Sequence, residues 1–150
     1  AETEALLIAA ARADHVARCI RPALAAGRVV LCDRFVHSTL AYQGGGNGLD
    51  QAMLRGLHDF AAGGLWPDLV VWLDVAPDLG LARAAARRAA SGQTLHDRFE
   101  DRGRAFHERV RAAFAALAAE DPRVHRIDGA ADPEAVAAAV AAVVLGRSGG

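Results

Sequence analysis

VVLCDRFVHSTLAYQGGGNG, residues 29–48, decides the fold of this 150-residue chain. Its first four residues are an unbroken apolar run, which predicts a strand at Val29–Cys32 buried on both faces. The acid-base pair Asp33 and Arg34 closes that strand, and the hydroxyls of Ser38, Thr39 and Tyr42, the amide of Gln43 and three successive glycines follow. A strand that opens into such a segment is suited to holding an anionic, polar small molecule. Gly44 to Gly48 read as a loop, with glycines that permit positive φ and close backbone approach.

Working outward, Leu6, Ala10, Ala13, Ala17, Ile20 and Leu24 recur every three or four residues and predict an amphipathic helix over Glu4–Leu24, with Pro22 near its end and Gly27 closing it. Downstream, Gln51–Ala62 reads helical, and Leu69–Leu73 is a second short apolar run ending in an aspartate, Asp74. Pro77 and alanine-rich Leu79–Ala90 predict a helix, and polar Ser91–His96 a mobile segment. A helix over Glu100–Ala119, a strand over Arg123–Asp128 and a helix over Pro133–Leu145 complete the pattern. Strands alternating with helices predict an α/β fold, a parallel sheet with helices on both faces, and ligands in such sheets bind beyond the carboxyl ends of the strands. Asp33, Asp74 and Asp128 stand at those ends. An aspartate there ordinarily caps the next turn, and only Asp33 has a supporting motif.

The chain is long enough for one domain with a core, and a single domain over 1–150 is expected. A formal charge of −1 argues against a general nucleic-acid or membrane surface. Basic charge gathers between Arg83 and Arg111, where eight arginines face four acids. All 17 basic residues are arginine, so the GxxxxGK[ST] phosphate loop cannot occur in this chain. Cys19 and Cys32 lack metal or CxxC spacing and read as reduced core thiols of a cytoplasmic protein. The six histidines show no metal-ligand pattern, which gives no metal site. No apolar run approaches a membrane span, and the acidic start AETEALL is unlike a basic signal region. A start without methionine, already in helical pattern, suggests a fragment.

The central segment resembles the characteristic DR[YFH]xxSxxAYQGxGRG run of the thymidylate kinases. The likeness continues through ARADHVARCIRPALAAGRVVLCDR (Ala11–Arg34), GLWPDLVVWLDVAPDLGLAR (Gly64–Arg83) and DRFE (Asp97–Glu100), and covers essentially the whole chain in order. It implies a P-loop nucleoside monophosphate kinase-like sheet whose central P-loop strand is missing here, as is the family's REPG segment. It also implies phosphorylation of dTMP to dTDP with ATP and Mg²⁺ in dTTP biosynthesis. Without a lysine loop, the 150-residue chain alone is expected to be inactive.

Residue by residue, the resemblance implies that Arg34 grips the acceptor's 5′-phosphate and stabilises the phosphoryl group in flight, and that Asp33 orients Mg²⁺ or its water. Arg12 would reach a thymine carbonyl, and Ile8, one turn earlier, stands where many members stack a phenylalanine on the base. Thr39, beside Ser38, would bond the base edge, Tyr42 would crowd the 2′ carbon against ribonucleotides, and Gln43 would complete the base contacts. Asn47 replaces an arginine frequent in the family. Arg87, Arg88 and Arg98 flank the segment matching the family's mobile lid, and one of them would act on the transferring phosphate. The resemblance further implies a homodimer paired through helices, with Glu4–Leu24 a candidate. Two readings stand beside it: another deoxynucleoside or nucleotide kinase, separable by substrate preference, and a non-catalytic nucleotide-binding remnant, separable by the lysine loop.

Overall fold

The computed structural model describes residues 1–91 and 102–147. The chain forms two compact units, Ala1–Trp66 and Pro67–Gly150.

The first unit is helical. Its opening rod runs without a break through α1 (Glu2–His15), a wider π-helical stretch (Val16–Ile20) and α2 (Arg21–Ala25). Alanine and leucine favour this conformation, and Glu2 and Glu4 complement the positive end of the helix dipole. Gly27 stops it at φ +70°, donating its N–H to the Leu24 carbonyl at 2.9 Å. The helix is where the periodicity predicts it, but its buried face is turned. Ala5, Ala9, Arg12, Val16 and Ile20 face inward, whereas Leu6, Ala10, Ala17 and Leu24 are exposed. The contacts of Arg12 explain this: a guanidinium with partners inside the unit takes the helix face that carries it inward.

After the rod, α3 (Val36–Thr39) continues as a second π-helical stretch, Leu40–Gly46. The expected loop at Gly44–Gly48 is therefore helical through Gly46, and of these glycines only Gly48 takes positive φ, +78°. Gly44 serves close approach instead, since a Cβ there would come within 2.2 Å of Gln51 Nε2. The next helix, α4 (Gln51–Ala62), is capped by the Asp50 carboxylate, which accepts the Met53 N–H at 2.7 Å. Arg21 donates to the carbonyls of Ala62 and Gly63 at the negative end of α4, at 2.9 and 3.0 Å. Val16, Ile20 and Ala62 form a core cluster joined by Val30, Phe35 and Leu65.

Val29–Cys32 is not the buried strand its apolar run predicts. Val29 and Leu31 are each 90% exposed, and only Val30 turns into the core. A strand covered on both faces needs ladder partners, and the described sheet consists of two other strands. Cys19 and Cys32 are likewise exposed free thiols, not core residues.

The second unit carries the α/β pattern: β1 (Val70–Asp74), α5 (Pro77–Ser91), α6 (Gly103–Glu120), β2 (Val124–Asp128) and α7 (Pro133–Arg147). The strands pair in parallel, in register from Val70 against Val124 to Asp74 against Asp128. Trp72 stacks on Phe114 with ring centres 5.7 Å apart, fixing α6 on that face of the sheet. The parallel α/β expectation thus appears as a small two-stranded sheet with helices.

Candidate functional site

Arg12 is the centre of the first unit's polar interior. At 8% exposure it donates from Nη2 to Thr39 Oγ1 at 2.5 Å and to the Phe35 carbonyl at 3.5 Å, and its guanidinium lies 5.3 Å from the Phe35 ring centre. Burial pulls its pKa below the ordinary value, with the nearby Cys32 thiol opposing that, while arginine's basicity keeps it cationic. A buried cation whose neighbours are a hydroxyl and a carbonyl can receive a further acceptor, such as a carbonyl oxygen.

Along the same helix face, α1 meets residues far apart in sequence. Ile8 is half-buried one turn earlier on α1, and Ser38 is half-buried on α3, its N–H bonded to the Phe35 carbonyl at 3.1 Å. Gln43, only 1% exposed, donates from Nε2 to Glu4 at 2.8 Å, and Asn47 donates to the same carboxylate oxygen at 3.3 Å. Glu4 therefore clasps α1 to the second π-helical stretch. It was missed in the sequence, although Glu4, Ile8 and Arg12 recur at four-residue spacing on one helix face.

Asp33 and Arg34 occupy the exposed turn before α3. Arg34 is the one non-glycine residue with positive φ among the described residues, +66°, and its guanidinium lies 4.3 Å from the centre of the Tyr42 ring. Its carbonyl accepts from Cys32 Sγ at 3.7 Å; desolvation raises the Cys32 pKa, with the Arg12 cation opposing and the Asp33 carboxylate adding to the rise. A backbone in the left-handed region is costly for arginine and persists where the surroundings impose it. Among the described residues no group of three or more His, Cys, Asp or Glu side chains could hold a metal ion. Asp33 is a single exposed carboxylate, which fits a magnesium ion held largely by phosphates and water.

His58 belongs to the core behind the site. It donates from Nε2 to the Leu65 carbonyl at 2.9 Å and meets Phe35 and Trp66 edge-on, while Nδ1 has no hydrogen-bond partner among the described residues. Burial lowers its pKa and keeps the ring neutral.

In the second unit, Arg87 and Arg88 lie on α5, and Arg98 falls outside the described residues. Asp128 caps its turn, accepting from the Ala130 N–H at 2.9 Å. Asp74 does not. It is buried between Arg111, bonded through both oxygens at 2.6 and 2.9 Å, and Arg126, whose Nε lies 2.8 Å from Oδ2. A cleft of about 460 Å³ opens beside this triad.

A parallel α/β unit and a helical unit whose buried guanidinium is bonded to a hydroxyl and a backbone carbonyl define the molecule as an α/β protein. The thymidylate kinase family model matches residues 1–140. The thymidylate kinase of Thermomicrobium roseum is 55% identical over 144 residues, covering 95% of this chain and 66% of that protein. That of Cereibacter sphaeroides (strain ATCC 17029) is 54% identical over 143 residues, covering 94% of this chain and 65% of its own length. The chain belongs to the thymidylate kinase family, and it spans about two-thirds of the length of these curated relatives.

Proposed function

We propose that this chain carries the dTMP site and lid of an enzyme that phosphorylates dTMP to dTDP with ATP and Mg²⁺, for dTTP biosynthesis in the cytoplasm. The observation that carries this reading is the family match over residues 1–140, a span that includes every candidate site residue. The local chemistry supports it. Arg12 supplies a buried cation for a thymine carbonyl, with Thr39 already bonded to it and Ile8 on the same helix face. The clasp of Gln43 to Glu4 holds the base-facing helices in register, and Ser38 adds a hydroxyl near the start of α3. Tyr42 bounds the sugar.

Arg34 takes the 5′-phosphate. A non-bridging oxygen of that phosphate forms the new bond to the γ-phosphorus of ATP as the bond to the β,γ-bridging oxygen breaks, releasing ADP. The acceptor phosphate is already ionised near neutrality, so Asp33 serves the Mg²⁺ or its water and not proton removal. Arg87, Arg88 or Arg98 contributes charge to the transferring group from the lid. The ATP cradle needs a glycine-rich loop ending in lysine, between a strand and the helix that follows it. This lysine-free chain does not supply it, so the 150 residues alone give no dTDP and the complete enzyme does. A homodimer belongs to the same reading, with Leu6 and Leu7, 58 and 67% exposed on α1, as the apolar face a second copy would cover.

The test is steady-state kinetics on the complete enzyme with dTMP, dUMP, dCMP and thymidine as acceptors. dTMP should be preferred, and Arg34→Ala should lower kcat/KM by at least about 100-fold by removing a donor to charge that develops in transfer. Preference for a nucleoside or another nucleotide would favour the related-kinase reading. Formation of dTDP by the 150-residue chain alone would overturn the assignment of the ATP cradle to residues outside it.

A further inference from the structure

The Phe35 ring has two neighbours of different kinds. The Arg12 guanidinium lies 5.3 Å from its centre, and the His58 ring on α4 meets it edge-on, at 88° and 5.3 Å between centres. Arg12 also donates to the Phe35 carbonyl, so one residue holds the guanidinium through both its ring and its backbone. Displacing Phe35 loosens both contacts and leaves Arg12 its bond to Thr39.

His58 is 1% exposed, and its Nε2 donates to the Leu65 carbonyl, which can only accept. The other ring nitrogen, Nδ1, is therefore a buried lone pair, and it has no hydrogen-bond partner among the described residues. A proton added there makes a buried cation whose new N–H finds no acceptor. The charged and titratable groups that face the ring are Arg12 from α1, His37 from α3 and Asp59 from α4. Trp66 packs edge-on at 4.8 Å, donates to Asp59 at 2.7 Å and has the Arg55 guanidinium 5.9 Å from its own ring centre. Burial does most to lower the His58 pKa, with Arg12 and His37 reinforcing it and the Leu65 carbonyl and Asp59 opposing it. A depressed folded-state value means that the neutral, packed ring persists above it and is lost as pH falls through it.

We propose that His58 is a positioning residue for Arg12, acting through Phe35: its neutral ring keeps Phe35 against the guanidinium, and protonation at Nδ1 loosens the seat of a base carbonyl. This rests on the reading of Arg12 as the donor to that carbonyl. Thr39 stays as an anchor, so acid weakens the base contact without abolishing it.

The test is calorimetric titration of the full chain with thymidine, which has no phosphate to ionise, between about pH 8 and about pH 5, the range around an ordinary histidine. Wild-type affinity should fall in acid, by up to about ten-fold per pH unit, the limit for one linked proton. His58→Gln keeps a donor for the Leu65 carbonyl without titrating, and should make the affinity independent of pH. Phe35→Leu should weaken thymidine at the upper pH and flatten the slope, because the link between His58 and Arg12 is gone. A merely structural His58 would lower affinity equally at every pH in His58→Gln and leave the slope unchanged. A flat wild type, or a slope retained in either variant, overturns the proposal while leaving the base site standing. A wild type that binds thymidine at neither pH removes the base site, and the positioning role with it. Should His58→Gln fail to fold, linkage in the wild type decides. Saturating thymidine must lower the pH at which the His58 Hε1 resonance, identified by its contacts to the Phe35 ring, titrates; an unmoved midpoint overturns the proposal.

Discussion

A single buried carboxylate, Asp74, ties β1 to both α6 and β2, because Arg111 and Arg126 converge on it. The hydrogen bonds from Arg111 do most to hold its carboxyl pKa below the ordinary carboxylate value; burial opposes them and Arg126 reinforces them. A depressed folded-state pKa means the unfolded chain binds the proton more readily. The stabilisation is therefore fully present above the unfolded value of about 3.9 and is lost as pH falls through the lower folded value. Asp74→Asn keeps the shape and removes the charge, and should cost about 1.5 to 3 kcal/mol at neutral pH, the scale of hydrogen bonds to a charged group. Denaturant titrations at about pH 7 and about pH 2.5 should show the gap between wild type and variant narrowing in acid, since the unfolded chain then takes up the proton that folded Asp74 resists. An equal gap at both values would mean that the arginines do not read the charge of Asp74.

At the scale of elements, α4 docks on the second π-helical stretch through Gln51, which donates to the Leu40 carbonyl at 3.0 Å. The missing side chain of Gly44 makes room for it, since a Cβ there would lie 2.2 Å from Gln51 Nε2 and 3.3 Å from Leu54 Cδ1. Gly44→Ala must displace the flexible Gln51 amide and sacrifice that bond, a loss of about 1 kcal/mol, offset by a similar gain in helix propensity. Gln51→Ala should therefore cost about 1 kcal/mol in the wild type and almost nothing in the Gly44→Ala background. Additive effects in that double-mutant cycle would show that the two positions do not share the contact. This helix pair also shows what was legible in the sequence. Helix α4 was readable as Gln51–Ala62, as were β1, β2, α5 and α7 to within a few residues, whereas its Asp50 cap emerges only from the structure. The helical state of Gly44–Gly46 was not, because consecutive glycines signal a turn locally, while the close approach of α4 at Gly44 lies beyond that local signal. Arg12 was marked as a site residue by its motif, yet its burial defeated the apolar-stripe reading of α1. The pairing of Asp74 with Arg111 and Arg126 spans 37 and 52 residues, beyond any local pattern.

For the molecule as a whole, the decisive quantity is apolar and backbone surface left in water. Val29 and Leu31 are each 90% exposed along a run that belongs to no ladder among the described residues, and β1 and β2 form a sheet of only two parallel strands. Parallel strands are ordinarily buried within larger sheets, and uncovered edges recruit other chains. Phe60, also 90% exposed, adds to this surface. The 150-residue chain by itself should therefore associate beyond the discrete pair proposed for the complete enzyme. Sedimentation velocity between about 10 and about 100 µM should show an open series of species growing with concentration, as edge-to-edge contacts do not close on themselves. Leu31→Lys places a charge on the exposed run without touching the core cluster of Val16, Ile20 and Ala62, so it should deplete the large species while leaving the melting temperature nearly unchanged. A monodisperse wild type would show that the uncovered run is inert. A single dimer, indifferent to Leu31→Lys, would move the association to another surface, with the exposed leucines of α1 first in line.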